Sequence, residues 1–203
     1  MQYIIPQTEV SIQLIDDFKP PRDNVKNAPK DTLVVGMHLE DASLSVISIE
    51  KANDHMPYYD PMLVVDSIHK DLTDEQGLIE VVSGRTVKGY PFLYSIVKNQ
   101  IKPSGMDYIL SMDISFDSDI VHLQGDFVEK GTTGRREVAV LNIIKKKFNN
   151  FDYERYWSRD HYDPNYKKGN LMNISENEYW DDLDRSHPLS VCRFFVSNFI
   201  YMN

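Results

Sequence analysis

The run Gly131-Thr132-Thr133-Gly134-Arg135-Arg136 is a place where residue types and spacing suggest a cradle for an anion. Free backbone N–H groups at a helix start, with two arginines beside them, could hold a phosphate. The Walker spacing and its Lys-Ser/Thr pair are absent, however, so the simpler reading is a strand-to-helix turn with Thr133 as N-cap. Six histidines are spread along the chain, at 38, 55, 69, 122, 161 and 187, and none pairs at the short spacing of a zinc site. His161 with Asp160 and Asp163, plus His187 brought back by the last helices, could form a mixed N/O site. Exposed loop and cap residues are the simpler reading of them. His38 and His122 fall on the polar side of expected strands, beside Asp113 and Asp126. That pattern fits a shallow polar pocket, or a wetted or covered sheet face.

The remaining candidates are weaker. There is no Gly-x-Ser-x-Gly elbow. Cys192, the single cysteine, sits mid-helix between Val191 and Arg193 and reads as buried and inert. Glu176, Glu178, Asp181, Asp182 and Asp184 are dense on one short helix, which reads as a solvated face rather than paired acid/base groups. Asn173-Ile174-Ser175 is a glycosylation sequon, without meaning unless the chain is secreted. The expectation is no catalytic residue, no metal and no cofactor.

The elements that must position these groups follow from hydrophobic period. Ile4 to Leu14 alternates with period two and predicts a strand. Asp16 to Asp31 is a long loop. Residues 33–39 and 43–49 form a hairpin around the turn Glu40-Asp41-Ala42, with one phase slip in the second strand that predicts a β-bulge. Asp60-Pro61 caps a helix over 61–75 that ends before Gly77. Strands follow at 78–82, 90–101, 106–116 and 121–127. The even-numbered residues from Met106 to Phe116 are the strongest alternation in the chain. A second helix over 134–148 shows a stripe of Val138, Leu141, Ile144 and Phe148, widened by Val140 and Ile143. Ser175 to Glu178 reads as a capping box, and Ser186-His187-Pro188 opens the last helix.

The fold class expected is α+β: an antiparallel sheet with two main helices packed on one face, plus an aromatic-rich C-terminal arm. The domain is 1–148. The arm, 149–203, carries twelve of the 23 aromatics but few aliphatics before Leu189, too few for a core of its own. It is expected to pack on the sheet face opposite the two helices, with Trp157 and Trp180 mostly buried.

Composition narrows the function. The chain has 203 residues, 41% hydrophobic and 26% charged, with a mean hydropathy of -0.43. That is globular composition. The net charge of -9 argues against nucleic acid and anionic membrane as partners. One cysteine excludes a disulfide framework, and no apolar run approaches the roughly 20 residues of a membrane span. Met1 to Leu14 lacks a basic n-region and does not read as a signal peptide, so a cytoplasmic location is expected.

The order of strand, hairpin, helix, four antiparallel strands and long helix resembles the Mog1/PsbP-like α/β sandwich superfamily. Its DcrB-type and effector-chaperone branches are included. The likeness rests on the helix after Asp60-Pro61, the meander 78–128 and the turn Gly131-Thr132-Thr133-Gly134, and covers about 1–148. It implies a non-enzymatic protein that binds another protein. With the spare aromatics of the arm, the leading expectation is a cytoplasmic, non-catalytic binding module of adaptor, chaperone or immunity type. Its candidate partner-binding residues are Trp157, Tyr162, Tyr166 and Trp180. A small-molecule binder or sensor and a hydrolase with an unrecognised site are the alternatives.

Overall fold

The computed structural model describes residues 1–20, 30–39, 42–52, 60–148 and 152–203. The expected turn at Glu40-Asp41, the loop centre at 21–29, His55 and Phe151 lie outside the described residues, as does the side chain of Tyr153.

The first alternation makes two strands rather than one. β1 (Gln2–Ile4) and β2 (Ser11–Gln13) pair antiparallel as a small sheet of their own. Thr8 turns the chain by donating from its backbone and its hydroxyl to the Ile5 carbonyl, at 3.2 and 3.0 Å. Ile5, Val10, Ile12 and Leu14 are all buried. Ile4, by contrast, is 72% exposed, so the buried side is odd-numbered in the first arm and even-numbered in the second, and the phase changes at the turn.

Six strands form the main sheet: β3 (Leu33–Leu39), β4 (Ser43–Lys51), then β5 (Gln76–Arg85), β6 (Pro91–Gln100), β7 (Met106–Ser115) and β8 (Ile120–Glu129). All pairs are antiparallel, in the order β3-β4-β8-β7-β6-β5. The expected bulge is not in β4, which keeps register with β3 from Ser43 to Ile49 and with β8 from Ser43 to Lys51. Its odd-numbered residues face the core, and Leu44 and Val46 simply face the other way. The bulge lies in β5, between Leu78 and Glu80.

Three helices follow: α1 (Pro61–Asp71), α2 (Arg135–Lys147) and α3 (Pro188–Met202). The Asp60 side chain caps α1, with Pro61 leading the first turn. α1 stops at Leu72, which turns to extended backbone, several residues earlier than Gly77. At α2 the N-cap is Gly134, with φ 73, rather than Thr133, and no side chain caps it. Gly134 has the left-handed backbone that a β-branched threonine resists.

The α+β class, the antiparallel sheet and the C-terminal helix are as expected, but the two main helices do not share a face. α1 packs through Val64, Val65 and Leu72 on Leu78, Val81 and Leu93. α2 packs through Val140 and Ile144 on Tyr156, Ile174 and Trp180 of the arm. Its buried stripe is Arg136, Val140 and Ile144, while Val138 and Phe148 are exposed. The even-numbered residues Tyr108 to Ile114 are buried under α3 and the β1–β2 hairpin instead. Phe195 and Phe199 of α3 meet Phe18 and Phe127 there. The strongest apolar face in the sheet therefore takes the most apolar helix.

The arm also runs through short 3-10 turns. Asn173, not Ser175, caps the first of them, Ile174–Glu176: its side chain accepts from Ser175 N at 2.9 Å, and Glu176 reaches back to Asn173 N at 2.8 Å. The capping box thus sits two residues earlier than expected, with Ser175 inside the turn. Asn177 caps the second turn, Glu178–Leu183, through Tyr179 N. His187 caps α3 by accepting from Leu189 N, as its place before Pro188 anticipates.

Candidate functional site

Three cations fix the arm to the domain. Lys98 of β6 donates to the Leu171 carbonyl and to Glu176 Oε1, at 2.5 and 2.6 Å, with both side chains buried. Arg136 of α2 donates to the Ser175 and Asn177 carbonyls, to Ser190 Oγ and to Asp181. Arg193 of α3 bridges Glu80, Asp181 and the Glu176 carbonyl. Carbonyls at the ends of short turns lack partners of their own, and buried charged donors satisfy them here. The arm also lies against the backbone of β5. A methyl group added at Gly77 would meet Lys98 Cε at 2.9 Å and the Asn170 carbonyl at 3.0 Å.

This frame holds an aromatic groove of about 340 Å³, with Arg155, Tyr156, Ser158, His161, Ile174, Tyr179 and Trp180 around it. Trp157 stands beside it, on the short strand β9 (Trp157–Ser158), which pairs with β10 (Met172–Asn173). Trp157 meets Tyr156 edge-on at 5.7 Å, and Tyr179 meets Trp180 edge-on at 5.0 Å. Trp157 is 44% exposed and Tyr179 78% exposed, against the expectation that Trp157 is mostly buried. The Tyr156 hydroxyl donates to the Glu137 carbonyl, and burial pushes that phenol up to about 12.

Of the four expected partner-binding residues, Trp180 lines the groove, and Trp157 stands on the adjoining strand against Tyr156. Tyr162 and Tyr166 do other work on the opposite side of the sheet. The Tyr162 hydroxyl accepts from Val81 N at 2.5 Å, covering the edge of β5. Tyr166 stacks on His69 at 4.1 Å and donates to the His69 carbonyl. His69 in turn pairs with Asp160 at 3.1 Å. Arg155, Tyr156, Ser158, Ile174 and Tyr179 are groove residues that sequence reasoning missed, and His161 was singled out only as a metal-ligand candidate. The signal for Tyr179 was its place beside Trp180, directly after a capping asparagine.

The anion cradle is not assembled. Gly134 N donates to Glu129 Oε1 at 3.3 Å, so a carboxylate of the chain itself faces the helix start. Arg136 points inward at 1% side-chain exposure, while Arg135, Thr132 and Gly131 face solvent and Thr133 packs near Gly105. His161 and His187 do not meet. Asp160 serves His69, and His187 lies buried beside Glu129 at 3.5 Å. Among the described residues, no group of three or more His, Cys, Asp or Glu side chains could hold a metal ion. Cys192 is fully buried, and burial pushes its thiol up, away from the reactive thiolate.

The other face of the sheet carries the polar groups, in cross-strand rows. One row runs Leu93, Asp113, His122, Glu50; the next Ser95, Ser111, Gln124, Ser48; the next Val97, Ile109, Asp126, Val46. His122 Nδ1 bonds Asp113 at 2.5 Å, and this bond raises its pKa against the opposing effect of burial. His38 is exposed in the row beyond, with Asp107. No family model and no curated protein matches the chain. No helix among the described residues is long and apolar enough to cross a membrane.

Proposed function

We propose that the protein is a cytoplasmic, non-catalytic binding module for another protein, and that Trp157, Tyr179 and Trp180 form its recognition surface. The observation that carries this reading is exposed aromatic surface on a rigid mount. Trp157 and Tyr179 stand in water while the segment around them is tied down by buried Lys98 and Arg136. Tyrosine and tryptophan with a neighbouring arginine are the side chains that dominate binding energy at protein interfaces. Pre-organised rings lose little freedom on binding, which favours affinity. The role implied by the Mog1/PsbP-like resemblance agrees with this reading. A single buried thiol suits a reducing compartment.

The test compares the wild-type chain with Trp157→Ala/Tyr179→Ala as bait in native lysate, followed by binary titration of the purified partner. Both substitutions are at exposed positions, so the thermal midpoint should be preserved. The expected result is a defined complex that the double variant loses by about a hundredfold or more, as removal of two hot-spot rings predicts. A complex that forms equally well with the double variant overturns the assignment.

A further inference from the structure

We propose that the pocket between α1 and the polar face of the sheet binds a small organic cation, its apolar body on Val97 and Ile109 and its ammonium or guanidinium at Asp126 and Asp107. The pocket is about 510 Å³, within the roughly 300–1,000 Å³ of small-molecule sites. Leu63, Val64 and Ile68 of α1 form one wall. The floor has two rows, Ser95 with Ser111 and Gln124, and Val97 with Ile109.

Beyond Ile109 the row continues into a carboxylate. Asp126 stands directly across from Ile109, and Asp107 lies two residues from Ile109 on the same face. Directly opposed side chains have Cβ atoms about 5 Å apart and diagonal ones about 7–8 Å, so both carboxylates stand next to the floor, just outside the residues that line the pocket. Neither has a cationic partner among the described ion pairs. Among the described residues Asp107 Oδ1 is buried and without a hydrogen-bond partner, although the Phe127 backbone N–H acts on the same carboxyl. Burial and then the Asp126 charge push the Asp107 carboxyl up to about 6, and burial raises Asp126. The basic groups of this face lie apart: His122 is taken by Asp113 two rows away, and His38 is exposed at the far side of the sheet. A neutral ligand would fill the apolar floor and leave the carboxylates as they are. An anion would be repelled. A cation with an apolar body satisfies both halves of the site.

This site lies across the sheet from the aromatic groove and is tested separately from it. The full chain is titrated calorimetrically with phenethylamine, with phenethyl alcohol as neutral match and 3-phenylpropionate as anionic match. Phenethylamine should bind about tenfold or more tighter than the alcohol, the weight of one charge-assisted contact. The anion should not bind. Asp126→Asn, at an exposed position, should cut amine affinity by about the same factor and leave the alcohol unchanged. Ser111→Phe should fill the pocket and abolish both. Equal binding of amine and alcohol, an unchanged amine affinity in Asp126→Asn, or no saturation by any of the three up to about 10 mM would each overturn the proposal.

Discussion

Leu110 and Ser111 are neighbours in the chain and stand on opposite sides of one sheet. Leu110 is fully buried among Phe127, Ile47 and the helix α3. Ser111 looks into a half-open pocket under α1, in a row with Ser95 and Gln124. The first side is dry: Phe92, Ile96, Met112, Ile114, Leu123 and Phe127 close against α3 and the N-terminal hairpin. The second side carries Asp126 exposed, Asp107 and His122 half-buried, and Asp113 buried beneath His122. The contrast separates labour. Burial of apolar area on one side provides most of the stability, at roughly 25 cal/mol per Å², and leaves the other side free to carry charge.

The comparison breaks first at the dry face. Phe195→Ala, in the middle of α3, should cost about 3–5 kcal/mol in urea denaturation. A loss below about 1 kcal/mol, the ordinary scale of point mutations, would mean that α3 is not the lid of the core. Glu176→Ala tests the clamp that holds the arm. It leaves Lys98 buried and unpaired, which should cost about 3–5 kcal/mol. If the variant matches wild type, the arm is held by packing alone.

The polar face should respond to pH instead. His122 has a folded-state pKa above the ordinary histidine value, because Asp113 holds the protonated ring. Its contribution to stability is whole below the unfolded value near 6.5 and is lost as pH rises through the folded one. His187 has the opposite sign. Burial lowers its pKa, so its contribution is lost as pH falls below the ordinary value. The difference between wild type and Asp113→Asn isolates His122. That difference should be largest near pH 6 and shrink toward pH 8; a flat difference would remove the pair from the account. The smallest effect belongs to Ser111→Ala, which should stay within about 0.5 kcal/mol of wild type, although Leu110→Ala next to it should cost about 2–5 kcal/mol.

Local signals were legible where neighbours in the chain decide the outcome. The alternation from Met106 to Phe116 marked β7 and its buried side, and Asp60-Pro61 and His187-Pro188 marked two helix starts. The last helix of the arm and the burial of Cys192 were also readable. Direction on a helix was less so. Each residue turns the helix by about 100°, so Arg135 faces solvent while Arg136 faces inward, and both look alike as an arginine pair. The aromatics of the arm showed the same limit, because residue type says that a ring prefers burial and not which ring finds it. Tyr156 is buried, and its neighbour Trp157 is not.

The sequence by itself determined the α+β class, the antiparallel meander and most strand and helix positions. These follow from period and capping, which act over a few residues. Only the tertiary structure decided which helix covers which face, that Lys98 and Arg136 are buried, and that Trp157 and Tyr179 remain outside. Those outcomes depend on partners 39 to 78 residues away, as in Arg136 with Ser175 and Lys98 with Glu176. A charged side chain can be buried only where a distant acceptor meets it. No local pattern encodes that meeting.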